Sequence, residues 1–391
     1  MVDLGERLPD VRTRAVSPVR LSVASTRPFA IVEPAAMARL LPDWAALANR
    51  SAVDNPFFHP DFAVPAMAQF GRQVAVASVS GQDGRLAAVA PFTRARLGRL
   101  APAARLWSHK YGPLGTPLIA GGEVAGAVAA LIDGLAPAAS GASLVVPDLP
   151  LDEPAAAAIL AEAQKQRRPV AVIDRHERAV LDRRQVGGFD LRAALPVRRR
   201  KEFARQFRRL ADCGTVTLES ATDRDHIRPS LEAFLTLESA GWKGRAGTAL
   251  ASSPATAAFV RSAVASRAAS GGARIDMLAL DGRPVAMLVS VIAGATAFTW
   301  KIAYDETFAR FSPGAQLMLE AAPRIFAETS VSRIDSCADA GHPMIDRLWP
   351  GRMVVGTLVI GPPGGGLVYR AGVAAAKAEA MARASLKRLR R

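Results

Sequence analysis

The chain has 391 residues, a formal net charge of +15 at neutral pH, and hydrophobic side chains at half of its positions. Two cysteines are too few for a disulfide-stabilised scaffold, and the longest apolar stretch, Pro284–Trp300, is cut by Gly294 and indicates two strands rather than a membrane span. Because the first 28 residues lack the apolar centre of a signal peptide, we expect a cytoplasmic protein with two domains of ordinary size.

The excess of positive charge has two interpretations. It favours anionic partners such as a phosphate-bearing ligand, nucleic acid, acidic polysaccharide or lipid headgroups, but Arg-rich codon usage would produce the same excess. No helix-turn-helix, zinc or OB signature indicates dedicated nucleic-acid binding, and no Cys/His constellation indicates a metal site.

The first half of the chain alternates helical and strand patterns after a lead-in at 1–28 whose composition favours disorder. In chain order the periodicity predicts helix Met37–Asn49, strands Gln73–Val79 and Leu86–Phe92, helix Val124–Leu135, strand Ala142–Val146, helix Pro154–Arg167 and strand Pro169–Ile173. A basic loop is expected after Phe92.

The second half repeats this order, which predicts an α/β (α+β) fold with a mixed sheet. Its predicted elements are helix Arg198–Cys213, strand Thr215–Ser220, helices Ile227–Ser239 and Ala255–Ser270, strands Ile275–Leu280, Val285–Ile292 and Ala297–Tyr304, helix Pro313–Glu328, strand Arg333–Cys337, helix Pro343–Leu348 and strand Val354–Ile360.

An Asp-Gly-Arg turn followed by an apolar strand occurs in both halves, in Gly81–Phe92 and in Ala279–Ser290. The turn alone is common in hairpins, but its matching position favours a duplication. We therefore expect an N-terminal domain at 29–190, a C-terminal domain at 195–365 and a basic helical tail at 366–391.

The most informative segment is Ala297–Gln316, in which an alternating strand leads into Ser312-Pro313-Gly314-Ala315. Ser312 suits an N-cap, Pro313 suits the first helical position, and Gly314 leaves the backbone N–H groups uncovered. Such a helix start binds phosphate or pyrophosphate, although the same residues would also form an ordinary capped helix.

Four segments resemble the acyltransferase domain of CelD/BcsL-type proteins, a branch of the GNAT acetyltransferase superfamily close to the FemAB peptidyltransferases. These segments are Arg198–Gly214, Phe234–Leu250, Met277–Asp305 and Phe311–Glu320. The resemblance implies two tandem GNAT-like domains and an acyl-CoA donor, acetyl-CoA or another. It also implies that the phosphate loop includes Arg310, Ser312, Gly314, Ala315 and Gln316. The chain departs from the family pattern after the next strand, where Asp346 or Arg347 stands in place of a lysine.

Acyl transfer also needs a base that deprotonates the attacking amine or hydroxyl, and groups that stabilise the oxyanion of the thioester. The candidate catalytic residues, all placed near the central strands, are Glu238, Lys301, Tyr304, Asp335 and His342. By strand alternation Trp300 and Ile302 should share a face opposite Lys301 and Ala303. The candidate substrate-binding residues are Trp242, Lys243, Trp300, Asp305, His109 and Tyr111, the last two in a polar loop expected to reach the cleft between the halves.

These observations predict an acyltransferase that moves an acyl group from acyl-CoA to an amine or hydroxyl. The resemblance implies an envelope or exopolysaccharide precursor as the acceptor. Two alternatives remain open: a FemAB-like transferase that uses aminoacyl-tRNA, and a non-catalytic accessory protein of polysaccharide biosynthesis. The tail at 366–391 is expected either to be solvated or to contact an anionic membrane surface.

Overall fold

The computed structural model describes residues 27–138, 143–184 and 190–389. The elements of the first half are β1 (Phe29–Val32), α1 (Leu41–Asn49), α2 (Pro60–Phe70), β2 (Ala75–Ser80), β3 (Leu86–Leu97), β4 (Ala101–Leu106), β5 (Leu118–Ile119), α3 (Val124–Ala138), β6 (Ser143–Pro150), α4 (Pro154–Lys165) and β7 (Val170–Asp182).

The second half begins with a basic helix and ends with a long one. Its elements are α5 (Val197–Ala211), β8 (Val216–Ala221), α6 (Arg224–Ala240), α7 (Trp242–Arg245), α8 (Pro254–Ala269), β9 (Ala273–Leu280), β10 (Arg283–Ala293), β11 (Thr296–Tyr304), α9 (Pro313–Glu328), β12 (Arg333–Asp335), β13 (Gly351–Ile360) and α10 (Leu367–Leu389).

The strands form one mixed sheet with the order β1-β2-β3-β4-β6-β13-β7-β12-β11-β10-β9-β8, and β5 pairs with β3 outside this path. Most neighbouring strands are antiparallel, whereas β4 with β6 and β11 with β12 are parallel. Because helices lie between and against these strands, the predicted α/β (α+β) fold class with a mixed sheet is confirmed.

The two halves have the same topology. In the first, an antiparallel meander β1-β2-β3-β4 is followed by α3, which crosses over to the parallel strand β6. In the second, the meander β8-β9-β10-β11 is followed by α9, which crosses over to the parallel strand β12. The shared Asp-Gly-Arg turns join β2 to β3 and β9 to β10, the same positions in each repeat.

The halves exchange their last strands at the centre of the sheet. Strand β7, from the first half, pairs with β12 of the second half, and β13, from the second half, pairs with β6 of the first half. The two exchanged strands also pair with each other over almost their full length. The predicted domain boundaries at 190 and 195 therefore separate segments of sequence whose strands interleave in the sheet.

Apolar clusters cover both faces of the sheet. On one face, α2 and α8 pack together across the two halves, and the ring centroids of Phe62 and Phe259 lie 5.2 Å apart in an edge-to-face arrangement. On the other face, α5 and α9 cover the second half with a cluster that includes Phe203 and Leu317. This packing fixes the helices that surround β11.

Several predicted elements coincide with the structure, and the predicted helix Pro313–Glu328 matches α9 at both ends. The Asp281-Gly282 turn is also confirmed, since both residues have positive φ, as a tight hairpin requires. The predicted helix Pro343–Leu348 is wrong, because only a 3-10 turn at Ile345–Arg347 forms there. The basic loop expected after Phe92 is wrong as well, since β3 continues to Leu97 and pairs with β4.

The predictions for the two ends of the chain can be compared with the structure only in part. Residues 1–26 of the expected lead-in, the start of the strand predicted from Ala142, and residues 390–391 lie outside the described residues. The helical tail is confirmed as α10. Among the described residues, no helix combines the length and the apolar character needed to cross a bilayer.

Candidate functional site

The sheet opens where β11 and β12 separate. These strands pair only over Thr296–Phe298 with Arg333–Asp335, whereas β11 continues to Tyr304. After β12 the chain turns away at Cys337, which has a left-handed φ of 51°. The second part of β11 therefore has an edge that β12 leaves uncovered, which gives a ligand access to strand backbone.

A β-bulge at Trp300 changes which way the side chains of β11 point. Val289 of β10 lies opposite Lys301 and Ser290 lies opposite Thr299, so that Trp300 is the extra residue. Trp300 and Ala303 consequently pack in one apolar cluster and Ile302 in the other. The expectation that Trp300 and Ile302 share a face was wrong, because strict alternation does not hold across a bulge.

A cavity of about 530 Å³ lies beside this open part of β11. It is bounded by the end of β11, the start of α9, the start of α5, the α6–α7 junction and the loop that follows β12. Eight predicted site residues line it: Glu238, Trp242, Lys243, Tyr304, Ser312, Gly314, Ala315 and His342. The structure thus brings together half of the residues that the sequence singled out.

The start of α9 faces this cavity with unbonded backbone amides. The first intrahelical bond runs from the Gln316 N–H to the Ser312 carbonyl at 3.0 Å, so the N–H groups of Gly314 and Ala315 precede it. Ser312 occupies the N-cap position but makes no side-chain capping bond, because its left-handed backbone (φ 53°, ψ 50°) is not the extended one that a capping side chain needs. The predicted side-chain cap is therefore wrong, and the amides stay available to a ligand.

The opposite wall of the cavity is held by an ion pair between the buried Glu238 and the partly buried Lys243. The Lys243 ammonium donates to Glu238 Oε1 at 2.8 Å and to the Ile302 carbonyl of β11 at 2.9 Å, and the Leu250 N–H donates to Glu238 Oε2 at 2.7 Å. Both carboxylate oxygens of Glu238 are thus engaged, so this residue positions Lys243 against the open strand. Trp242, beside them, is 54% exposed and offers an aromatic face at the cavity.

Arg199, on the first turn of α5, also lines the cavity, although the sequence did not predict it as a site residue. Its guanidinium has no carboxylate partner within the described part of the chain, which leaves its charge available to an anion. Helix α5 is held against α9 through Gln316, whose side-chain amide donates to the Phe203 carbonyl at 2.9 Å. The dense Arg cluster of α5 was visible in the sequence, but the residue facing the cavity was not.

A second group of predicted residues lies on the other side of β11, at the contact with the first half. The Lys301 ammonium is 5.3 Å from the centroid of the Tyr111 ring and 5.5 Å from that of Trp300, and the Trp300 indole N–H donates to the Tyr111 carbonyl at 2.7 Å. His109 stacks on Trp107 with centroids 4.4 Å apart. The loop that carries His109 and Tyr111 therefore reaches the second half, as predicted.

Burial lowers the pKa values of two of these residues, Lys301 and His109. It lowers the pKa of Lys301 from its ordinary value to about 8, with the neighbouring charge of Lys243 acting in the same direction. Burial, followed by the charge of Lys301, lowers the pKa of His109 to about 4. Lys301 can therefore lose its proton near pH 8.

Asp335 lies at the end of β12, where it has a structural role. Its Oδ2 is 3.4 Å from the guanidinium of Arg178 on β7, and its Oδ1 accepts from the Cys337 N–H at 2.7 Å. The carboxylate is buried and lines a separate cavity of about 100 Å³. Burial raises the pKa of the Cys337 thiol and Asp335 reinforces this, which holds the sulfur protonated.

Three further predicted residues lie outside the cavity and have other partners. Asp305 caps the turn that follows β11 by accepting from the Thr307 N–H at 2.9 Å. The Arg310 guanidinium lies over the Phe311 ring, 4.7 Å from its centroid. The Gln316 side chain is fully buried between α5 and α9.

His342 does line the cavity, and its Nδ1 accepts from the Ile345 N–H at 3.4 Å. The described residues contain no cluster of three or more His, Cys, Asp or Glu side chains placed to hold a metal ion.

Residues 197–342 match the family described as the acetyltransferase (GNAT) domain. The matched segment runs from the start of α5 to His342 and so contains the cavity walls formed by α5, α6, β11 and α9. This match confirms the predicted enzyme class, an acyltransferase. No curated protein matches the chain by sequence.

Solved structures share the fold across both halves. The C-terminal domain of a protein assigned as lysylphosphatidylglycerol synthetase from Agrobacterium fabrum superposes with a TM-score of 0.54 at 13% identity, covering 88% of this chain and 96% of that one. FemX superposes with a TM-score of 0.54 at 12% identity, covering 82% and 95%. L-PGS from Bacillus licheniformis superposes with a TM-score of 0.51 at 11% identity, covering 90% and 98%. The chain therefore contains a segment that matches a GNAT acetyltransferase domain, and it shares its overall fold with these structures over nearly their whole length.

Proposed function

We propose that the protein transfers an acyl group from a phosphate-bearing donor, acyl-CoA in first place, to an amine or hydroxyl acceptor. The observation that carries this proposal is the start of α9, where the free amides of Gly314 and Ala315 face a cavity of about 530 Å³. A helix start of this kind favours phosphate through its N–H groups and its dipole. Within the family resemblance, the CelD/BcsL type and an envelope or exopolysaccharide precursor as acceptor stay predictions.

The residues around the helix start fit a nucleotide-containing donor. The Arg199 guanidinium supplies a cation at the same cavity, and Trp242 supplies an exposed ring on which an adenine base can stack. A Cβ at Gly314 would meet the Tyr304 ring at 3.6 Å and Ile302 at 3.7 Å, which is ordinary contact. A methyl group at position 314 therefore fits without a clash. A large side chain at this position would extend into the cavity and occupy the volume that we assign to the donor.

In the proposed reaction, the acyl group lies along the uncovered edge of β11. The acceptor nitrogen or oxygen attacks the acyl carbon, the bond from that carbon to the donor sulfur breaks, and the acceptor proton leaves. Lys301 can take up this proton from the Tyr111 side of the strand once its amine is neutral, which its lowered pKa of about 8 permits. The Tyr304 hydroxyl, at the cavity, can protonate the departing thiolate. The protonated thiol of Cys337 is not needed, since the transfer is direct.

A second candidate donor, aminoacyl-tRNA, is supported by the charge of α5. This helix carries seven cations and one acid within 15 residues: Arg198, Arg199, Arg200, Lys201, Arg205, Arg208, Arg209 and Glu202. Most of these cations are exposed beside the cavity and form a surface that a nucleic-acid backbone can follow. The solved structures named lysylphosphatidylglycerol synthetase share only the fold with this chain. Their similarity therefore does not distinguish acyl-CoA from aminoacyl-tRNA as the donor.

Calorimetric titration with acetyl-CoA tests the donor proposal. We expect micromolar binding to the wild-type protein, loss of that binding in Gly314→Trp, and retention within a few-fold in Gly314→Ala, since a methyl group fits at this position. Thermal unfolding of each variant shows whether the fold is intact.

The result also separates the two donors. If the wild-type protein binds neither acetyl-CoA nor longer acyl-CoAs, the acyl-CoA proposal is overturned. Filter binding with tRNA then tests the second candidate: Arg205→Gln combined with Arg208→Gln should weaken tRNA binding and reduce its salt dependence, whereas Arg224→Gln combined with Arg228→Gln on α6 should leave both unchanged.

A further inference from the structure

Helix α10 has two apolar faces, and only one of them is used for packing. The inner face places Tyr369, Val373 and Ala376 against residues of β3, β4 and β7, where they form a small cluster of their own. This contact fixes the helix on the sheet surface. The outer face therefore has a defined orientation and is available to a partner.

The outer face carries a continuous apolar stripe. Residues at successive spacings of four and three lie on one side of a helix, and here they are Leu367, Ala371, Ala374, Ala378 and Met381. All five are exposed. Val368 and Leu386 extend the stripe on one edge, so its apolar character does not depend on alanine alone.

The exposed aliphatic side chains of the protein are concentrated here. Ten large hydrophobic side chains are exposed in the part of the chain that the structure describes, and five of them belong to this surface: Leu100, Leu367, Val368, Met381 and Leu386. Their exposed fractions lie between 53% and 82%. Leu100 is in the turn between β3 and β4, which is held beside α10 by an ion pair of 3.0 Å between Arg99 and Glu379.

Cations line the other edge of the stripe. Arg370 and Lys377 are exposed, and neither has a carboxylate within salt-bridge distance among the residues that the structure describes. The nearby acids are already paired, Glu379 with Arg99 and Asp174 with Arg383 at 3.5 Å. The surface formed by α10 and the β3–β4 turn thus combines exposed aliphatic groups with unpaired positive charge.

We propose that this surface docks the protein on an anionic phospholipid bilayer, with α10 lying in the plane of the headgroups. A helix with an aliphatic stripe and a cationic edge inserts the first among the acyl chains and places the second at the phosphates. Anionic lipids attract Lys and Arg at the membrane surface. A second copy of the chain would bring like cations together, which disfavours self-association through the same face.

Co-sedimentation of the full chain with vesicles tests this assignment. We expect binding to vesicles of phosphatidylglycerol and phosphatidylcholine, and much weaker binding to phosphatidylcholine alone. Arg370→Gln combined with Lys377→Gln should weaken binding to the anionic vesicles by roughly tenfold or more. Leu367→Ser combined with Met381→Ser should weaken it at high salt, where the aliphatic contact dominates.

Matched controls separate this surface from the charge of the whole molecule. Arg224→Gln combined with Arg228→Gln removes the same charge from α6, and Leu160→Ser removes an exposed leucine from α4; both should bind like wild type. If the α6 pair weakens binding as much as the α10 pair, or if anionic vesicles are not bound, the proposal is overturned. A dimer in light scattering that Met381→Glu dissociates would assign the stripe to a second copy and overturn it too.

The docking proposal is independent of the donor proposal. Acetyl-CoA titration of the α10 variants should match wild type whatever the vesicle result, because no α10 residue lines the donor cavity. Failure of either proposal can therefore be recognised separately.

Discussion

At the scale of single residues, burial shifts the protonation of Lys301. Its pKa falls to about 8, so between about pH 8 and pH 10.5 the unfolded chain binds a proton that the folded chain has lost. The contribution of Lys301 to the free energy of unfolding therefore rises with pH across this window and is most unfavourable below it.

This gives a direct prediction for Lys301→Met. The variant should raise the free energy of unfolding near neutral pH by about 1–3 kcal/mol, and the gain should shrink as the pH rises through the window. Urea unfolding at two pH values measures the effect, with Lys201→Met on exposed α5 as the control. A gain that is absent near neutral pH, or that does not shrink at alkaline pH, would contradict the buried, charged environment.

Two buried histidines predict loss of stability in acid. Burial lowers the pKa of both His59 and His109 to about 4, below the ordinary 6.5, so the unfolded chain takes up these protons first as the pH falls. Each histidine should therefore lower the free energy of unfolding by up to about 3 kcal/mol between pH 6.5 and pH 4.

His59→Asn tests this prediction, because asparagine can still cap α2, where His59 Nδ1 now accepts from the Asp61 N–H. The slope of stability against pH should become shallower between pH 4 and pH 6.5. Equal slopes in wild type and His59→Asn would refute the assignment.

Half of the residues proposed from the sequence line the cavity at the start of α9. Gly314 and Ala315 follow from the Ser-Pro-Gly helix start, whereas Trp242 and Lys243 were implied by the family resemblance. Arg310 and Gln316 were placed by the spacing of a family motif, but helix geometry turns them away from the cavity. The opposite failure is Arg199, since a run of arginines gives no sign of which one faces inward.

At the scale of elements, the α6–α7 junction is tied to β11 through the pair Glu238–Lys243. Lys243→Met should leave the Glu238 carboxylate with one remaining donor, the Leu250 N–H, and cost roughly 2–4 kcal/mol of unfolding free energy. Adding Glu238→Gln should recover part of this loss, because the buried charge is then gone.

A double-mutant cycle by urea unfolding measures the coupling. Arg261→Met provides the control, since its partner Glu232 is about half exposed and the pair should contribute less than about 1 kcal/mol. If Lys243→Met costs no more than Arg261→Met, the pair does not hold the cavity wall as described.

Elements of the second half were easier to predict than their arrangement. The hairpin of β9 and β10 and the start of α9 are set by local signals, an Asp-Gly turn and a Pro-Gly helix start. The bulge at Trp300 arises from pairing with β10, which sequence periodicity does not contain. β4 was missed because its residues, APAARL, carry little β propensity and are stabilised by their neighbours β3 and β6.

At the scale of the whole molecule, the exchange of β7 and β13 joins the halves into one sheet. Neither half can complete its sheet alone, since β13 lies between β6 and β7 and β7 lies between β13 and β12. The repeated topology could be predicted from the order of elements and the two Asp-Gly-Arg turns. The exchange of β7 and β13 could not be predicted, because the local sequence of a strand does not determine which half of the chain it pairs with.

The exchange predicts one cooperative unfolding transition. Far-UV circular dichroism and tryptophan fluorescence should give coincident curves, and the calorimetric and van't Hoff enthalpies should agree. Expressed separately, the segments 27–184 and 190–389 should not form stable monomers, since each exposes unpaired strand edges. Two resolved transitions, or two stable isolated halves, would contradict the interlocked sheet.

The central claim is that the cavity at the start of α9 holds the phosphates of an acyl donor. A crystal structure of the protein with acetyl-CoA tests it most directly. We predict phosphate oxygens within about 3 Å of the amide nitrogens of Gly314 and Ala315, with the acyl group beside the open edge of β11. An acetyl-CoA molecule bound at another surface, with this helix start empty at saturating concentration, would contradict the account.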